Sequence, residues 1–460
     1  MNALMLSAGL GTRFRPVTDR VAKPAIPFLN VPLLGYSLYY LENLFSENLG
    51  VGINDKSCRL ENLVLNTHHL PASVEGAANC LTHGQDYRVL FSFEPEILGS
   101  GGGILKAREL LGAGPIAGSR AGGGADGGAD AGSRAGANAE SVAASRAGAN
   151  DFIVCNADEV LLFNHSRGFA PLVEFHKSSG ALATLLTTDH PEAGKTLGGV
   201  WAEAGGSKSE ADDAIGDADG VGTSGGGETP SINTSGKIYK LGGQGIEPGA
   251  RHFTGVYVFS ERIFDYMPAS GKFHIFKDCL HKAMAAGESV LSFHDSDLTW
   301  LDMSSEKDYI SSTLTALQIL SGDGGESAAN AEASTSAGAA AISTAKSPIK
   351  SAGISPAKSS AYSRVKAENL KNILKRFHQK FELMAPSQWL CPGAKFAGEL
   401  APSSFLFMGP DSEIGADVRV KGFAVLGAGA KLSQGVIDHS VLAPGVHVNP
   451  IASLRNEIVI

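Results

Sequence analysis

The chain has 460 residues, enough for two or three domains that each bury a core. Its formal net charge of −9 is spread along the sequence and argues against a general nucleic-acid surface. No apolar run reaches the length of a membrane span, no charged-then-apolar leader opens the chain, and five cysteines without CxxC spacing read as reduced, so the expectation is a soluble cytoplasmic protein.

The first apolar run, Ala3 to Leu6, reads as a buried strand. It breaks into Ser7-Ala8-Gly9-Leu10-Gly11-Thr12-Arg13, followed by Pro16 and Lys23-Pro24. Gly9 and Gly11 remove the Cβ atoms that would hold an anion away from the backbone, and successive N–H groups can form a phosphate nest. Arg13 offers a planar fork of donors and Lys23 a compact positive charge. The same glycine pair would equally serve a plain turn. A dinucleotide fingerprint is excluded by Phe14, which stands where the third glycine belongs, and a Walker loop by the absence of Gly-Lys-Ser/Thr. The whole string G-L-G-T-R-F-R-P-V-T followed by K-P resembles the signature of sugar-1-phosphate nucleotidyltransferases, the NDP-sugar pyrophosphorylases. The resemblance implies an α/β domain built on a doubly wound, mostly parallel, Rossmann-like sheet. It assigns Leu6, Ala8, Gly9, Gly11 and Thr12 to the nucleotide and gives Arg13 and Lys23 the catalytic roles.

Leu33 to Phe45 has helical apolar spacing, and Leu63 to Asn66 reads as a second strand ending in Thr67-His68-His69. Adjacent histidines diverge and no other ligand stands at metal spacing, so zinc is not expected there; the resemblance makes this a strand end near the cleft. Tyr87 to Phe93 is a third strand. It runs into Glu94 and then Gly99-Ser100-Gly101-Gly102-Gly103, ahead of a helix from Ile104 to Leu111. The glycines read either as a helix start or as a slot where a flat base lies on backbone. By resemblance, Gly99 and Ser100 match the base-binding step and Glu94 takes the base-reading position. A carboxylate only accepts, which suits guanine N1 and N2 or uracil N3 and leans the base toward guanine.

Residues 112–150 and 205–235 hold too few bulky apolar side chains to offset ordering and read as disordered insertions, the second of them acidic. Asp151 to Asp158 is a strand that puts a carboxylate at the edge where parallel sheets hold ligands. Mg²⁺ favours one or two carboxylates with phosphate oxygens, so Asp158 is read as a metal ligand rather than a turn residue. A helix follows at Phe169 to Ser178, then strands at Ala181 to Thr188, Leu197 to Trp201 paired with Lys237 to Leu241, His252 to Phe259, and Val290 to Phe293. After Trp300-Leu301-Asp302-Met303-Ser304-Ser305 comes a helix from Glu306 to Leu317, which Ser304 or Ser305 can cap. This stretch resembles the family's W-x-D-x-G-T-x-x-x-Y element, with Tyr309 in place. The resemblance makes Asp302 the second metal ligand and gives Asn156, Gly199, Thr254 and Gly255 to the sugar. Ser304 and Ser305 depart from the usual Gly-Thr, and Ala157 from the glycine of Asn-Gly-Asp.

Residues 321–360 are Ala, Ser and Gly with Ser-Pro steps and read as a linker; Arg364 to Leu383 is a basic amphipathic helix, best used as a packing strut. In the tail, Ile414, Val420, Leu426 and Leu432 fall six apart, and Leu442, Val448 and Leu454 resume the period after a slip. Small or branched residues recur four positions later at Val418, Ala424, Ala430, Val436, Val446 and Ala452. Period six is the hexapeptide β-helix signature, so a short left-handed β-helix is expected, a surface for homo-oligomer contacts. The expected division is 1–320 for the nucleotidyltransferase domain, 321–362 for the linker, 363–385 for a connecting helix and 386–460 for the repeats.

The resemblance implies that an NTP and a sugar 1-phosphate are the partners, without nucleic acid or membrane. It further implies a Mg²⁺-dependent in-line displacement that yields NDP-sugar and pyrophosphate. GTP with mannose 1-phosphate or UTP with another sugar 1-phosphate both suit the chain. Two alternatives stand beside this reading: a catalytically silent sugar-nucleotide-binding regulatory protein, and the same chemistry on a non-sugar phosphate such as phosphocholine.

Overall fold

The computed structural model describes residues 1–44, 60–112, 151–203, 235–243, 248–322, 356–378, 382–385, 387–448 and 453–460. Nearly all of the two insertions and the linker expected from composition lie outside the described residues, as do Cys58 and Ala452. The remaining cysteines, Cys80, Cys155, Cys279 and Cys391, are unpaired, and no described helix is long and apolar enough to cross a membrane.

One nine-stranded sheet organises the first part of the chain. Its strands in sequence order are β1 (Asn2–Leu6), β2 (Asn62–Thr67), β3 (Arg88–Phe93), β4 (Phe152–Asn156), β5 (Ala183–Thr188), β6 (Gly199–Ala202), β7 (Gly236–Leu241), β8 (Arg251–Phe259) and β9 (Val290–His294). In space they run β3-β2-β1-β4-β8-β5-β9-β7-β6, with β8 also reaching β6. Pairing is parallel through β3-β2-β1-β4 and again at β5-β9. It is antiparallel at every contact of β8 and β7. The sheet is therefore mixed rather than mostly parallel, and the doubly wound character is confined to its first half. Continuous apolar runs such as Ala3-Leu4-Met5 and Leu63-Val64-Leu65 are fully buried, because helices cover both faces of that half.

Helices α1 (Leu34–Asn43), α2 (Pro71–Leu81), α3 (Gly99–Lys106), α4 (Ala170–Ser179), α5 (Glu306–Ser321) and α6 (Pro356–His378) supply the cover. Two of them depart from expectation. Helix α3 begins at Gly99 and takes in the glycine series, because those glycines let it press onto the 271–275 segment. A Cβ on Gly101 would lie 2.5 Å from the Phe273 ring, and one on Gly102 would lie 2.7 Å from the Gly271 carbonyl. Helix α6 starts inside the stretch read as linker and stops before Leu383, which lies instead in a strand, Glu382–Ala385. Ala367, Leu370, Ile373 and Leu374 of α6 are buried in the same core as Tyr40 and Phe163. Asn369 donates to the carbonyls of Phe163 and His165 at 2.8 and 3.0 Å, and Arg376 grips Glu42 with two nitrogens at 3.0 and 3.1 Å.

From Glu382 onward the strands are parallel, apart from the first pair, and form a separate sheet whose register advances about one coil at a time. Gln388 pairs Leu406, Phe405 pairs Phe423, and Ile414 pairs Leu432. Ile414, Val420, Leu426, Leu432, Leu442, Val448 and Leu454 share one buried cluster, which accounts for the period of six. Trp389, Phe405, Phe407, Phe423, Val425 and Val441 face the other way and join the core of the first sheet. Asn30 reinforces that junction by donating to the Leu426 carbonyl at 2.7 Å, and Arg20 by donating to the Ile460 carbonyl at 2.7 Å.

Candidate functional site

The carboxyl ends of β1, β2 and β4 open onto a cavity of about 430 Å³. Leu6, Ala8, Gly9, Gly11, Thr12 and Arg13 line it from the first loop, Lys23 and Pro24 from the next turn, Glu94, Ile97, Gly99 and Ser100 from the loop after β3, and Asn156 and Asp158 from the end of β4. Open α/β sheets hold ligands at this edge because consecutive loops diverge there.

The first loop is shaped by specific contacts. Gly11 sits at φ +60, and a Cβ there would strike Thr18 at 2.7 Å, so only glycine fits. The Thr18 hydroxyl donates to the Gly11 carbonyl at 2.9 Å, and Phe14 N–H closes the turn onto the same oxygen at 2.8 Å. By contrast, the Cβ direction of Gly9 meets nothing within 4 Å: its bare backbone faces open space, as a phosphate cradle requires. Phe14 anchors the loop in the core against Tyr309 at 5.7 Å, and the Tyr309 hydroxyl donates to the Pro27 carbonyl. Tyr309 of the Trp300–Tyr309 element thus buttresses the loop that carries Arg13, which is itself exposed.

Lys23 Nζ donates to Asp158 Oδ2 at 2.6 Å, across 135 residues of sequence. The two groups that the sequence assigned to phosphate and to metal are therefore brought together. Asp302 is placed differently. It does not line the cavity; its Oδ1 accepts the Ser304 N–H at 2.7 Å, and Ser304 is the residue of this segment that reaches the wall. Ser305, not Ser304, caps α5, its hydroxyl accepting the Asp308 N–H.

Glu94 is fully buried. Its Oε1 accepts from Asn66 Nδ2 at 2.8 Å and its Oε2 from the Leu98 N–H at 2.9 Å. Asn66 in turn accepts the Ser7 N–H at 2.6 Å, so one buried chain of hydrogen bonds ties the first loop to the base-side loop. His68 and His69 extend the same stitching, to the carbonyls of Glu94 at 2.8 Å and Thr18 at 2.6 Å, and neither belongs to a metal cluster. Among the described residues no group of three or more His, Cys, Asp and Glu could hold a metal by itself. Ser100 accepts the Ile275 N–H at 3.2 Å, while Gly99, at φ +73, presses against the Phe273 carbonyl.

Of the residues given to the sugar, Asn156 reaches the cavity and Gly199, Thr254 and Gly255 do not. Thr254 is buried and donates to the Leu186 carbonyl at 3.0 Å within the sheet. Gly255, at φ +83, leaves room for Asn156 and Glu159, since a Cβ there would lie 2.6 Å from Asn156 Nδ2. Sequence reading passed over Glu159. It accepts from Asn156 Nδ2 at 3.0 Å and from the Trp300 indole N–H at 2.5 Å. Burial, with the Asp158 charge alongside, pushes its carboxyl up to about 7. The available signal was a second acid directly after Asp158 at a strand end. Sequence reading placed Asn66 at a strand end near the cleft, and Asn66 does line the cavity; its hydrogen bonds to Ser7 and Glu94 show only once β2 lies between β1 and β3.

Comparison with known proteins bears on this geometry. Residues 2–116 match the nucleotidyl transferase family. The chain is 22% identical over 322 residues to a UTP–glucose-1-phosphate uridylyltransferase of Synechocystis sp., covering 67% of this chain and 61% of that protein. It is 25% identical over 325 residues to a mannose-1-phosphate guanyltransferase of Yarrowia lipolytica, covering 70% and 65%. An N-acetylmuramate alpha-1-phosphate uridylyltransferase of Neisseria meningitidis shares 33% over 118 residues, 25% of this chain and 44% of that one. The chain thus spans less than two thirds of the length of each of these relatives. Among solved structures, UDP-glucose pyrophosphorylase from Acinetobacter baumannii aligns with a TM-score of 0.45 and 16% identity, covering 69% of this chain and 93% of that one.

Proposed function

We propose that this chain, whose N-terminal segment belongs to the nucleotidyl transferase family, condenses an NTP with a sugar 1-phosphate to give an NDP-sugar and pyrophosphate. The observation that carries this reading is the shared cavity of the glycine loop, Arg13 and the Lys23–Asp158 pair, beside the Gly99–Ser100 loop. Relatives named as uridylyl- and guanylyltransferases of sugar 1-phosphates support it.

In this reading a sugar-phosphate oxygen attacks the α-phosphorus, the bond to the β-phosphate bridge breaks, and pyrophosphate leaves. The attacking oxygen is already ionised, so no general base is needed and the protein's work is positioning and charge neutralisation. Gly9 and Gly11 bring backbone N–H groups to the phosphates, Arg13 holds the departing pyrophosphate, and Lys23 turns from Asp158 to the phosphoryl oxygens. Two carboxylates with phosphate oxygens suit Mg²⁺, and Asp158, on the cavity wall, and Asp302, one step behind it, would hold the ion. Such an ion would supply charge neutralisation at the phosphates. Leu6, Ala8, Thr12 and the backbone at Gly99 and Ser100 hold the nucleoside. Because both Glu94 oxygens are engaged by protein donors, Glu94 builds the base-side loop and base choice passes to that loop's main chain.

We read the tail as a left-handed β-helix that can carry homo-oligomer contacts, and the division of the chain as 1–320, 321–362, 363–385 and 386–460. The site of action in this reading is the cytoplasm. The deciding experiment measures pyrophosphate release with Mg²⁺, crossing four NTPs with a panel of sugar 1-phosphates. Release with one pair names both substrates. Nucleotide binding without release in folded protein turns the reading to a silent sensor.

A further inference from the structure

Two adjacent histidines stand where β2 gives way to α2. Because neighbouring side chains diverge there, His68 reaches the base-side loop and His69 the first loop. His68 Nδ1 meets the Glu94 carbonyl at 2.8 Å, and His69 Nε2 meets the Thr18 carbonyl at 2.6 Å. A carbonyl oxygen only accepts, so each ring donates an N–H to backbone. Both rings are half-buried and neither lines the cavity.

The rest of this corner works in the same two directions. Toward the base-side loop, the Thr67 carbonyl accepts the Glu94 N–H at 2.7 Å, and Asn66 Nδ2 donates to Glu94 Oε1 at 2.8 Å. Gly103 of α3 makes room for that pair, since a Cβ there would lie 2.7 Å from Asn66 Nδ2. Toward the first loop, Asn66 Oδ1 accepts the Ser7 N–H at 2.6 Å, and the Ser7 hydroxyl donates to the Asn66 carbonyl. Thr18, held by His69, donates its hydroxyl to the Gly11 carbonyl at 2.9 Å. Ser73, in the first turn of α2, accepts the N–H of Ala22, the residue before Lys23, at 3.0 Å. Residues 66–73 thus bridge the two loops twice, by an inner path through Asn66 and an outer path through the histidine pair. Away from bulk water such bonds hold their direction, so a shift of one loop is felt by the other.

We propose that the β2–α2 corner, residues 66–73, is a positioning clamp that sets the spacing between the nucleoside-holding and polyphosphate-holding loops, so that the two halves of an NTP bind cooperatively. This rests on the reaction proposed above and adds a reason why the halves are recognised as one molecule. A ligand spanning both loops must order both; where the loops are joined, the half that binds first lowers the cost for the other. His68 and His69 act as positioning residues that touch no substrate.

The test compares the full chain with His68→Leu/His69→Leu, which cuts the outer path at both ends and leaves Asn66 in place. His68→Asn/His69→Gln is the conservative partner, because Asn Nδ2 and Gln Nε2 fall where the two donating ring nitrogens stand. Calorimetry with Mg²⁺ present measures the affinity of each of four NTPs. Displacement of the bound NTP then gives the affinities of its nucleoside and of inorganic tripolyphosphate. For an NTP that binds the wild type, the Leu pair should lose about fivefold or more in affinity, while nucleoside and tripolyphosphate each stay within about twofold. The Asn/Gln pair should recover most of the loss. Should the Leu pair not fold, His69→Leu against His69→Gln carries the same comparison. An unchanged NTP affinity overturns the proposal. So does a fragment weakened as much as the whole NTP, which would mean that the histidines only hold one loop. Wild type that binds an NTP but releases no pyrophosphate with any sugar 1-phosphate defeats the reaction and leaves the coupling measured; wild type that binds no NTP defeats both.

Discussion

The loop cavity and the ring cluster around His252 behind it are built on opposite physical plans. At the phosphate end the groups are polar, partly open and already paired: Lys23 sits on Asp158, and Arg13 lies exposed on a loop held by Gly11 and Thr18. Around Trp300 the groups are aromatic rings, Trp300 and His190 half-buried and His252 buried with two unpaired nitrogens. The first plan suits a ligand whose charge can be exchanged for an existing ion pair. The second concentrates unmet polar demand inside the fold.

The largest effect should come from breaking the phosphate end. Replacing Lys23 by Ala leaves Asp158 without its partner and, in the proposed reaction, removes a cation beside the attacked phosphorus. We expect kcat to fall by about 10²–10³-fold, the loss typical of one electrostatic stabiliser, in steady-state pyrophosphate release. A variant within tenfold of wild type would show that the pair is only structural. Gly11→Ala probes the same end through the backbone. With φ at +60 and Thr18 only 2.7 Å from the new Cβ, it should cost about 1–3 kcal/mol of stability in denaturant titration and raise KM for the NTP. Unchanged unfolding midpoints would mean that the loop relaxes freely.

Glu94, on the loop after β3, lets the comparison be sharpened. Glu94→Gln keeps shape but presents an N–H₂ group to one of two donors, Asn66 Nδ2 or the Leu98 N–H. A carboxylate that builds the loop predicts a stability loss of about 1–3 kcal/mol, with similar effects on GTP and UTP. A carboxylate that reads the base predicts an unchanged Tm and a change in preference between the two nucleotides.

How far the sequence disclosed each end follows from the same contrast. The loop that lines the cavity was legible because its glycines, Arg13 and Lys23 fall within one short segment, and the cavity gathers them. Asp158 was legible as the terminus of an apolar run. The ring cluster joins Glu159, His190, His252 and Trp300 from four elements, and no local pattern ties them together; the β8–β5 pairing brings His252 to the end of β5, and the antiparallel pairing of Thr299–Leu301 with Val160–Leu162 brings Trp300 beside Glu159. Asn66 and Glu94 read as strand end and base reader because their mutual hydrogen bond depends on β2 and β3 lying side by side. The glycine series before Ile104 read either as a helix start or as a slot for a base; Gly101 and Gly102 serve the helix by making room for Phe273 and Gly271 of a distant segment, while Gly99 lines the cavity. In the tail the period of six was plain, since each repeat faces the same core. The aromatic residues that turn outward to join the first sheet recur only once per coil, Trp389 beside Phe407 and Phe405 beside Phe423, so a scan at six does not single them out.

The smallest effect expected is on pH dependence, and it isolates His252 from its surroundings. Its pKa is held down from 6.5 to about 4, so between those values the unfolded chain binds the proton and the folded chain does not. Stability is then complete above about 6.5 and declines as the pH falls toward 4. His190 and His294 are shifted in the same direction by burial, so the wild-type curve is a sum. The difference between wild type and His252→Phe removes the shared part. Thermal unfolding of both proteins from pH 7.5 to 4.5 should show a shallower acid loss in the variant, with its Tm advantage widening as the pH drops. Parallel curves would mean that water already satisfies the imidazole in the free protein, and the contrast between a paired phosphate end and an unpaired ring cluster would then no longer hold.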